Sequence, residues 1–211
     1  MSFLSRVATT GVIALAAGAG YQVLNNRHSS ENATTLARTT DRPGSVECEY
    51  FSPASNLEGI DIGELRTAAR RLRELRTPLN IAMYAFTDHA IAQAVIEEAD
   101  AGTLFRVYRD GEQYEAEERD AVRYGRTSVS SLFRGHNNIQ LRVKPASRVD
   151  LMHLKCWSDG QVLRDGSANW SAAGLSRQDN DVRLTNDPQE VREFNRNFEQ
   201  LWNRSTNIRV Q

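Results

Sequence analysis

The stretch of this 211-residue chain richest in reactive side chains is Met152-His153-Leu154-Lys155, followed eleven residues beyond the lysine by Gly166-Ser167-Ala168-Asn169. Residues two apart on a strand face the same way, so His153 and Lys155 project onto one surface. Gly166 permits close backbone approach, Ser167 adds a hydroxyl and Asn169 an amide. Metal-free phosphodiester cleavage requires this set: an imidazole nucleophile, a fixed cation, and neutral donors for the non-bridging oxygens. A metal centre needs several converging acids or histidines, and none cluster here, so no metal and no other cofactor is expected. A single histidine on a strand usually packs or faces solvent, and a single Gly-Ser-x-Asn is usually a turn. Their conjunction carries the inference. So does the lysine itself, because Lys144 and Lys155 are the only two lysines among 26 basic residues.

The elements that must position these residues are legible from periodicity and punctuation. Val46–Phe51 alternates as a strand ending at Ser52-Pro53. Ile62, Leu65, Ala69, Leu72 and Leu75 recur at helical spacing. Leu79–Phe86 reads as a buried strand, after which Thr87 or Asp88 caps a helix through Ala92, Val95 and Ile96. Thr103–Tyr108 is a further strand and 112–124 an acidic, mostly exposed helix. Ile139, Leu141 and Val143 alternate as another strand. Met152–Trp157 and Gln161–Arg164 form two strands joined at Asp159-Gly160. Asn180–Thr185 is the last strand. Asp187-Pro188-Gln189-Glu190 opens a final helix with a capping box, and Val191, Phe194, Phe198 and Leu201 form its buried stripe. Strands alternating with helices predict an α/β fold, an α-β-α sandwich with helices on both faces of a mixed sheet.

Hydrophobic residues at 40% and charged residues at 25% are those of a soluble globular domain. Residues 1–26 begin with basic Arg6 and continue into an uncharged run from Val7 to Asn26, centred on residues 11–20. They read as a signal peptide or a membrane anchor. That implies export (to the periplasm or cell envelope in a bacterium) or anchoring; an organellar presequence in a eukaryote is the other option. Residues 27–45 are polar and read as a linker, leaving 46–211 as the catalytic domain. That domain holds 22 bases and 25 acids, a poor fit to a dedicated duplex-binding protein. A local basic stretch runs through Arg134, His136, Arg142, Lys144 and Arg148; a solvated face explains it equally well. Cys48 and Cys156 read as small buried hydrophobes, with pairing possible in an oxidising compartment.

The run from Met152 to Ser171 resembles the signature of the phospholipase D superfamily, His-x-Lys-x4-Asp followed by Gly-Ser-x-Asn. The resemblance extends through nearly all of 46–206. Phe51-Ser52-Pro53, Met83-Tyr84-Ala85-Phe86-Thr87 and Gln178-Asp179-Asn180 look like its short, single-motif bacterial nuclease branch, which includes a mitochondrial relative acting on cardiolipin. The resemblance implies that His153 attacks phosphorus and becomes a phosphohistidine. It implies that Lys155 and Asn169 hold the non-bridging oxygens, that Ser167 orders the phosphate pocket, and that Asp179 orients the imidazole. One position departs from the pattern. The family's aspartate falls at Gly160, and Asp159 comes one residue early, so Asp159 is assigned a structural role beside Gly166. The family mechanism uses two histidines, and the other histidines, His28, His89 and His136, are not followed two residues later by lysine. The resemblance therefore implies a two-fold homodimer in which the partner chain supplies the second histidine. The leading reading is a secreted or membrane-associated phospholipid headgroup hydrolase. Its alternatives are an endonuclease using the same site and a non-catalytic membrane-tethered module with a degenerate site.

Overall fold

The structure, a computed structural model, describes the strands Gln22–Asn25 and Thr34–Thr39 and residues 46–210. In chain order the elements are β1 (Gln22–Asn25), β2 (Thr34–Thr39), β3 (Val46–Phe51), α1 (Leu57–Leu75), β4 (Leu79–Met83), α2 (His89–Asp100), β5 (Phe105–Arg109) and α3 (Gly111–Tyr124). They continue as α4 (Val129–Leu132), β6 (Ile139–Val143), β7 (Lys155–Ser158), β8 (Leu163–Gly166), α5 (Ala172–Ser176), β9 (Asp181–Thr185), α6 (Pro188–Trp202) and β10 (Ile208–Val210). One mixed sheet joins the strands in the order β1-β2-β3-β9-β8-β7-β4-β5-β6-β10. Among the described strands, β4–β5 and β5–β6 are the parallel pairings and the other pairings are antiparallel. The chain is thus a mixed α/β fold, as its alternating pattern predicts.

Two hydrophobic layers hold the helices to opposite faces of the sheet. One packs Leu57, Leu65, Leu72, Ile91 and Val95 of α1 and α2 against Ile81, Val107 and Trp157. The other packs Val191, Phe194, Phe198 and Leu201 of α6 against Ala82, Tyr108 and Cys156. The α1 cap is Asn56, whose side chain accepts from the Gly59 amide, and the α2 cap is Asp88, accepting from Ile91. Asp187 caps α6 by accepting from the Gln189 and Glu190 amides. The predicted capping box is not closed: Glu190 accepts from Arg183, and the Asp187 amide donates to Thr185 Oγ1. A nearby guanidinium outcompetes a backbone amide for that carboxylate.

Several boundaries differ from the sequence reading for identifiable reasons. β4 stops at Met83, because the Tyr84 amide donates to Leu154 and the Thr87 and Asp88 amides donate to the Trp170 carbonyl. Phe86 is buried against Trp170, not within a strand, which is why the apolar run overstates β4. Likewise β7 starts only at Lys155, since the Met152 amide is taken by Asp110 Oδ2 at 2.8 Å. The short helices α4 and α5 and the terminal strand β10 carry no strong periodic pattern and were not anticipated. The apolar N-terminal stretch through residue 21 lies outside the described residues. Part of the predicted linker, Thr34–Thr39, is a strand on the edge of β3; its threonines suit extended backbone, and β3 offers unpaired groups there. Cys48 and Cys156 are free thiols on opposite faces, with β9 and β8 between their strands, roughly 14 Å and well beyond disulfide reach. Burial pushes the Cys156 thiol up to about 11.

The shortened motif is absorbed at the β7–β8 turn. Asp159 Oδ1 accepts from the Gln161 and Val162 amides at 2.9 and 2.7 Å, and Gly160 takes φ 86°, a left-handed value that favours glycine. Oδ2 receives Arg71 Nε and Nη2 from α1 at 3.0 and 2.5 Å. The strand register beyond the turn is therefore intact, with Trp157 opposite Arg164. Asp159→Ala should lower stability by about 2–3 kcal/mol through lost buried hydrogen bonds, with turnover at low temperature unchanged. A thermal melt paired with an activity assay checks both halves.

Candidate active site

The ends of β4, β5, β6 and β8 and the starts of β7, β9 and β10 meet at one edge of the sheet, as their pairings require. Ligands of open α/β sheets bind outside the carboxyl ends of parallel strands. His153 and Lys155 emerge at this edge, and the loop after β8 brings Ser167 and Asn169 beside them. Asp159 lies at the far end of β7, roughly 13 Å along the strand, so it takes no part in the chemistry.

His153 is exposed, whereas Lys155 is buried. Lys155 Nζ donates to the His153 carbonyl at 2.8 Å and sits 3.0 and 3.2 Å from His153 Nδ1 and Nε2. An in-plane position equidistant from both nitrogens would collide with Cε1, so the ammonium lies over the ring face. The in-plane lone pair of the imidazole stays available for attack. Tyr84 flanks the ring with centroids 4.5 Å apart, and its own ring lies 5.0 Å from Nζ. Gln113 Nε2 donates to the Tyr84 hydroxyl at 3.1 Å, tying that ring to α3. Burial, with the Arg164 charge adding to it, holds Lys155 below the ordinary lysine range, against the opposing pull of Cys156.

Asn169 is oriented by the backbone. Its Oδ1 accepts from the Ala85 amide at 3.2 Å, which leaves Nδ2 as the donor turned toward a ligand. Gly174 lets the chain pack here, since a Cβ would stand 2.5 Å from the Asn169 carbonyl oxygen. The Ser167 hydroxyl is already spent, donating to Asp181 Oδ1 at 2.5 Å while accepting from the Asp181 amide at 3.0 Å. It orders the loop. Gly166, at φ 130°, is required where a Cβ would meet the Asp181 carbonyl oxygen at 2.5 Å.

Asp179 is the expected site residue that the single chain does not bring to the imidazole. It is exposed in the α5–β9 loop, and no hydrogen bond joins it to His153. Its neighbours explain this. Ser52 Oγ donates to the Gln178 carbonyl at 2.5 Å and accepts from the Asn180 amide at 3.1 Å, so Asp179 is the link that projects outward between two anchored residues. The groups beside the His153 ring in the single chain are Tyr84 and Lys155. Among the described residues, no group of three or more His, Cys, Asp or Glu side chains converges as a metal site would.

Sequence reasoning missed the pair that fixes this geometry. Arg164 and Asp61 are fully buried and bidentate, with Nε–Oδ1 at 2.9 Å and Nη2–Oδ2 at 2.7 Å. Arg164 Nη1 donates onward to the Lys155 carbonyl at 2.6 Å and the Ala168 carbonyl at 3.2 Å. Both halves of the motif thus share one guanidinium. A signal existed: Asp61 sits four residues from both Leu57 and Leu65, inside the apolar stripe of α1, where a lone carboxylate demands a buried cation.

A sheet edge presenting an imidazole, an ammonium and an oriented amide defines a phosphate-directed site. The chain belongs to the phospholipase D-like family: residues 69–202 match the family model described as cardiolipin synthase, PLD-like domain. It is 26% identical over 153 residues to a mitochondrial cardiolipin hydrolase of Danio rerio, covering 70% of this chain and 63% of that one. To a protein of the same description from Chlamydomonas reinhardtii it is 24% identical over 169 residues, covering 78% and 67%. Nuc, a phospholipase D family member from Salmonella typhimurium, superposes with a TM-score of 0.61 at 18% identity, over 79% of this chain and 99% of that one. The likeness to Nuc shows the shared fold. The chain spans just under two thirds of the Danio rerio relative.

Removing one partner of the buried pair strands the other, so Asp61→Asn or Arg164→Met alone should cost about 3–5 kcal/mol. The Asp61→Leu/Arg164→Met double variant should recover most of that in a denaturant melt. Its catalytic rate should stay depressed, because the Lys155 and Ala168 carbonyls have lost their common donor. Full recovery of rate would show that the pair serves stability alone.

Proposed function

We propose that this chain is a metal-independent phosphodiester hydrolase that cleaves phospholipid headgroup esters through a phosphohistidine on His153. The observation that carries the reading is the exposed imidazole with its in-plane lone pair unobstructed, the Lys155 ammonium on its face and the Asn169 amide aimed outward. The two relatives described as mitochondrial cardiolipin hydrolases support a lipid substrate.

In the proposed reaction a ring nitrogen of His153 attacks phosphorus in line with the departing ester oxygen. The N–P bond forms as the P–O bond breaks, while Lys155 Nζ and Asn169 Nδ2 hold the non-bridging oxygens. The leaving alkoxide takes a proton from His153 of the partner subunit, brought close across a two-fold axis. That imidazole then deprotonates a water, which attacks phosphorus and releases His153 with the phosphate monoester. Of the other histidines, His136 is 2.7 Å from Asp100 at the opposite edge of the sheet, and His89, exposed at the start of α2, belongs to no His-x-Lys motif, so the second histidine is assigned to a partner copy of the motif. No helix among the described residues is long and apolar enough to cross a membrane.

His153→Ala should abolish hydrolysis of cardiolipin and phosphatidylcholine and remove the acid-labile, base-stable phosphoenzyme formed with labelled substrate. EDTA should leave the wild-type rate unchanged. When wild type is mixed and re-equilibrated with an equal amount of His153→Ala, only about a quarter of all dimers should be competent, halving the activity per wild-type chain. Hydrolysis of single-stranded nucleic acid but of neither lipid would transfer the site to a nuclease.

Lys155 acts only as a cation, and its proton affinity is lowered in the fold. The alkaline limb of kcat/KM should therefore fall below the ordinary lysine value of 10.5. Activity is present below that midpoint and lost as pH rises through it. A pH–rate profile measures this, and Lys155→Met should remove the limb together with most of the rate.

A further inference from the structure

Charge is segregated within the domain. No acid occurs from residue 121 to 149 or from residue 200 to 211, and these two stretches carry eight bases. The rest of the domain carries 14 bases against 25 acids. The fold puts the two acid-free stretches together, because β10 pairs with β6 and Ile208 lies opposite Val143 at the edge that holds the active site. Arg142 and Arg209 face one another across that pair. Like charges placed so cost stability, and burial together with Arg209 and Arg106 holds Arg142 below the ordinary arginine value.

The same edge exposes aliphatic side chains. The loop after β6 runs from Lys144 to Leu151, two residues before His153. Ser147 Oγ accepts from the Val149 and Asp150 amides at 3.3 and 3.0 Å and turns Val149 outward. Val149 is 85% exposed, Ile208 49% and Leu151 39%. Single exposed apolar residues are ordinary on a protein surface. Here three aliphatics are interleaved with Lys144, Arg148, Arg204 and Arg209 beside the nucleophile, with the acid Asp150 between Val149 and Leu151.

We propose that this edge is an interfacial docking surface for an anionic lipid bilayer, with Val149, Leu151 and Ile208 entering the headgroup region and the four cations meeting lipid phosphates. The proposal rests on the lipid reading of the site and deepens it. Cations flanking small apolar anchors are the physical signature of peripheral membrane binding. A single-stranded nucleic acid would instead favour aromatic stacking platforms, and the exposed residues here are aliphatic. Docked in this way, His153 faces the plane in which the headgroup diesters lie.

The test compares the full-length protein with Val149→Ser/Ile208→Ser and with Lys144→Glu/Arg148→Glu, none of which touches the catalytic groups. Leu75→Ser, at an exposed leucine on the opposite edge of the sheet, is the control. Two rates are read: hydrolysis of lipid in phosphatidylcholine vesicles with and without phosphatidylglycerol, and hydrolysis of the soluble diester bis(p-nitrophenyl) phosphate. Both double variants should lose about tenfold or more on anionic vesicles and keep their soluble-diester rate. Leu75→Ser should match wild type in both assays. Unchanged vesicle rates in the variants would overturn the docking surface. So would equal wild-type binding to neutral and anionic vesicles in a flotation assay. A fall in oligomeric mass of the variants would reassign the edge to contact between copies. Loss of oligonucleotide retention with vesicle rates intact would reassign it to nucleic acid. Wild type inactive on the soluble diester and on vesicles alike would refute the hydrolase itself, a failure separate from any of these.

Discussion

Everything at the candidate site hangs from the buried Asp61–Arg164 pair. Taking two charges out of water is costly, and such a pair persists only where its remaining hydrogen-bonding capacity is filled. Here both Asp61 oxygens receive Arg164, and Trp157 Nε1 also reaches Oδ1, at 3.4 Å. The guanidinium then spends its remaining donors on the Lys155 and Ala168 carbonyls. Those carbonyls belong to the two motif segments, eleven residues apart or more, whose relative position fixes the ammonium against the amide. A second clamp repeats the device. Buried Arg109 binds Glu117, Ser130 and the Phe86 carbonyl at 2.7, 2.6 and 2.9 Å. It thereby fixes the loop that carries Tyr84 and Ala85 to α3 and α4. In both cases an arginine fork ends on the backbone of a site segment, so the reactive side chains are held by main chain and not by packing alone.

The periodic parts of this fold were readable because burial imposes a period. α6 buries one stripe, β4 is buried throughout, and α1 alternates faces; each pattern survives in the sequence. The parts that were not readable answer to partners far along the chain. β4 ends at Met83 because Leu154 and Trp170 claim the next amides, and no local pattern encodes that. The positions of His153, Lys155 and Asn169 were legible as a motif. The clamp beneath them was not, since Asp61 and Arg164 are 103 residues apart. Asp179 shows how distant partners also set the direction of a loop residue. Its position in the sequence fits an orienting carboxylate, but Ser52, pinning the residues on either side, turns it outward.

The early aspartate shows how a deletion in a strand can be harmless. Removing one residue would invert every later side chain unless a turn takes up the slip. Asp159 and Gly160 do so together, the carboxylate gathering two amides and the glycine supplying the left-handed step. Arg71 then neutralises the buried charge from α1. The motif's chemistry is untouched because the repair lies at the end of β7 remote from His153.

The division of labour between arginine and lysine follows from the same constraints. Planar, permanently charged forks suit fixed, multidentate sites, and the chain uses them for Arg71, Arg109, Arg164 and Arg183, each bound to one or more carboxylates. In the proposed reaction the phosphoryl group changes geometry as it moves from ester to nitrogen, and a rigid fork matched to one state would resist the next. The Lys155 ammonium is a point charge with three rotatable donors, able to follow the oxygens through that change. Its desolvation lowers the cost of leaving water when substrate arrives, and the His153 carbonyl holds it in place until then. Lys144, the other lysine, is held through its main chain: its amide donates to the Arg109 carbonyl and its own carbonyl closes over Gly111.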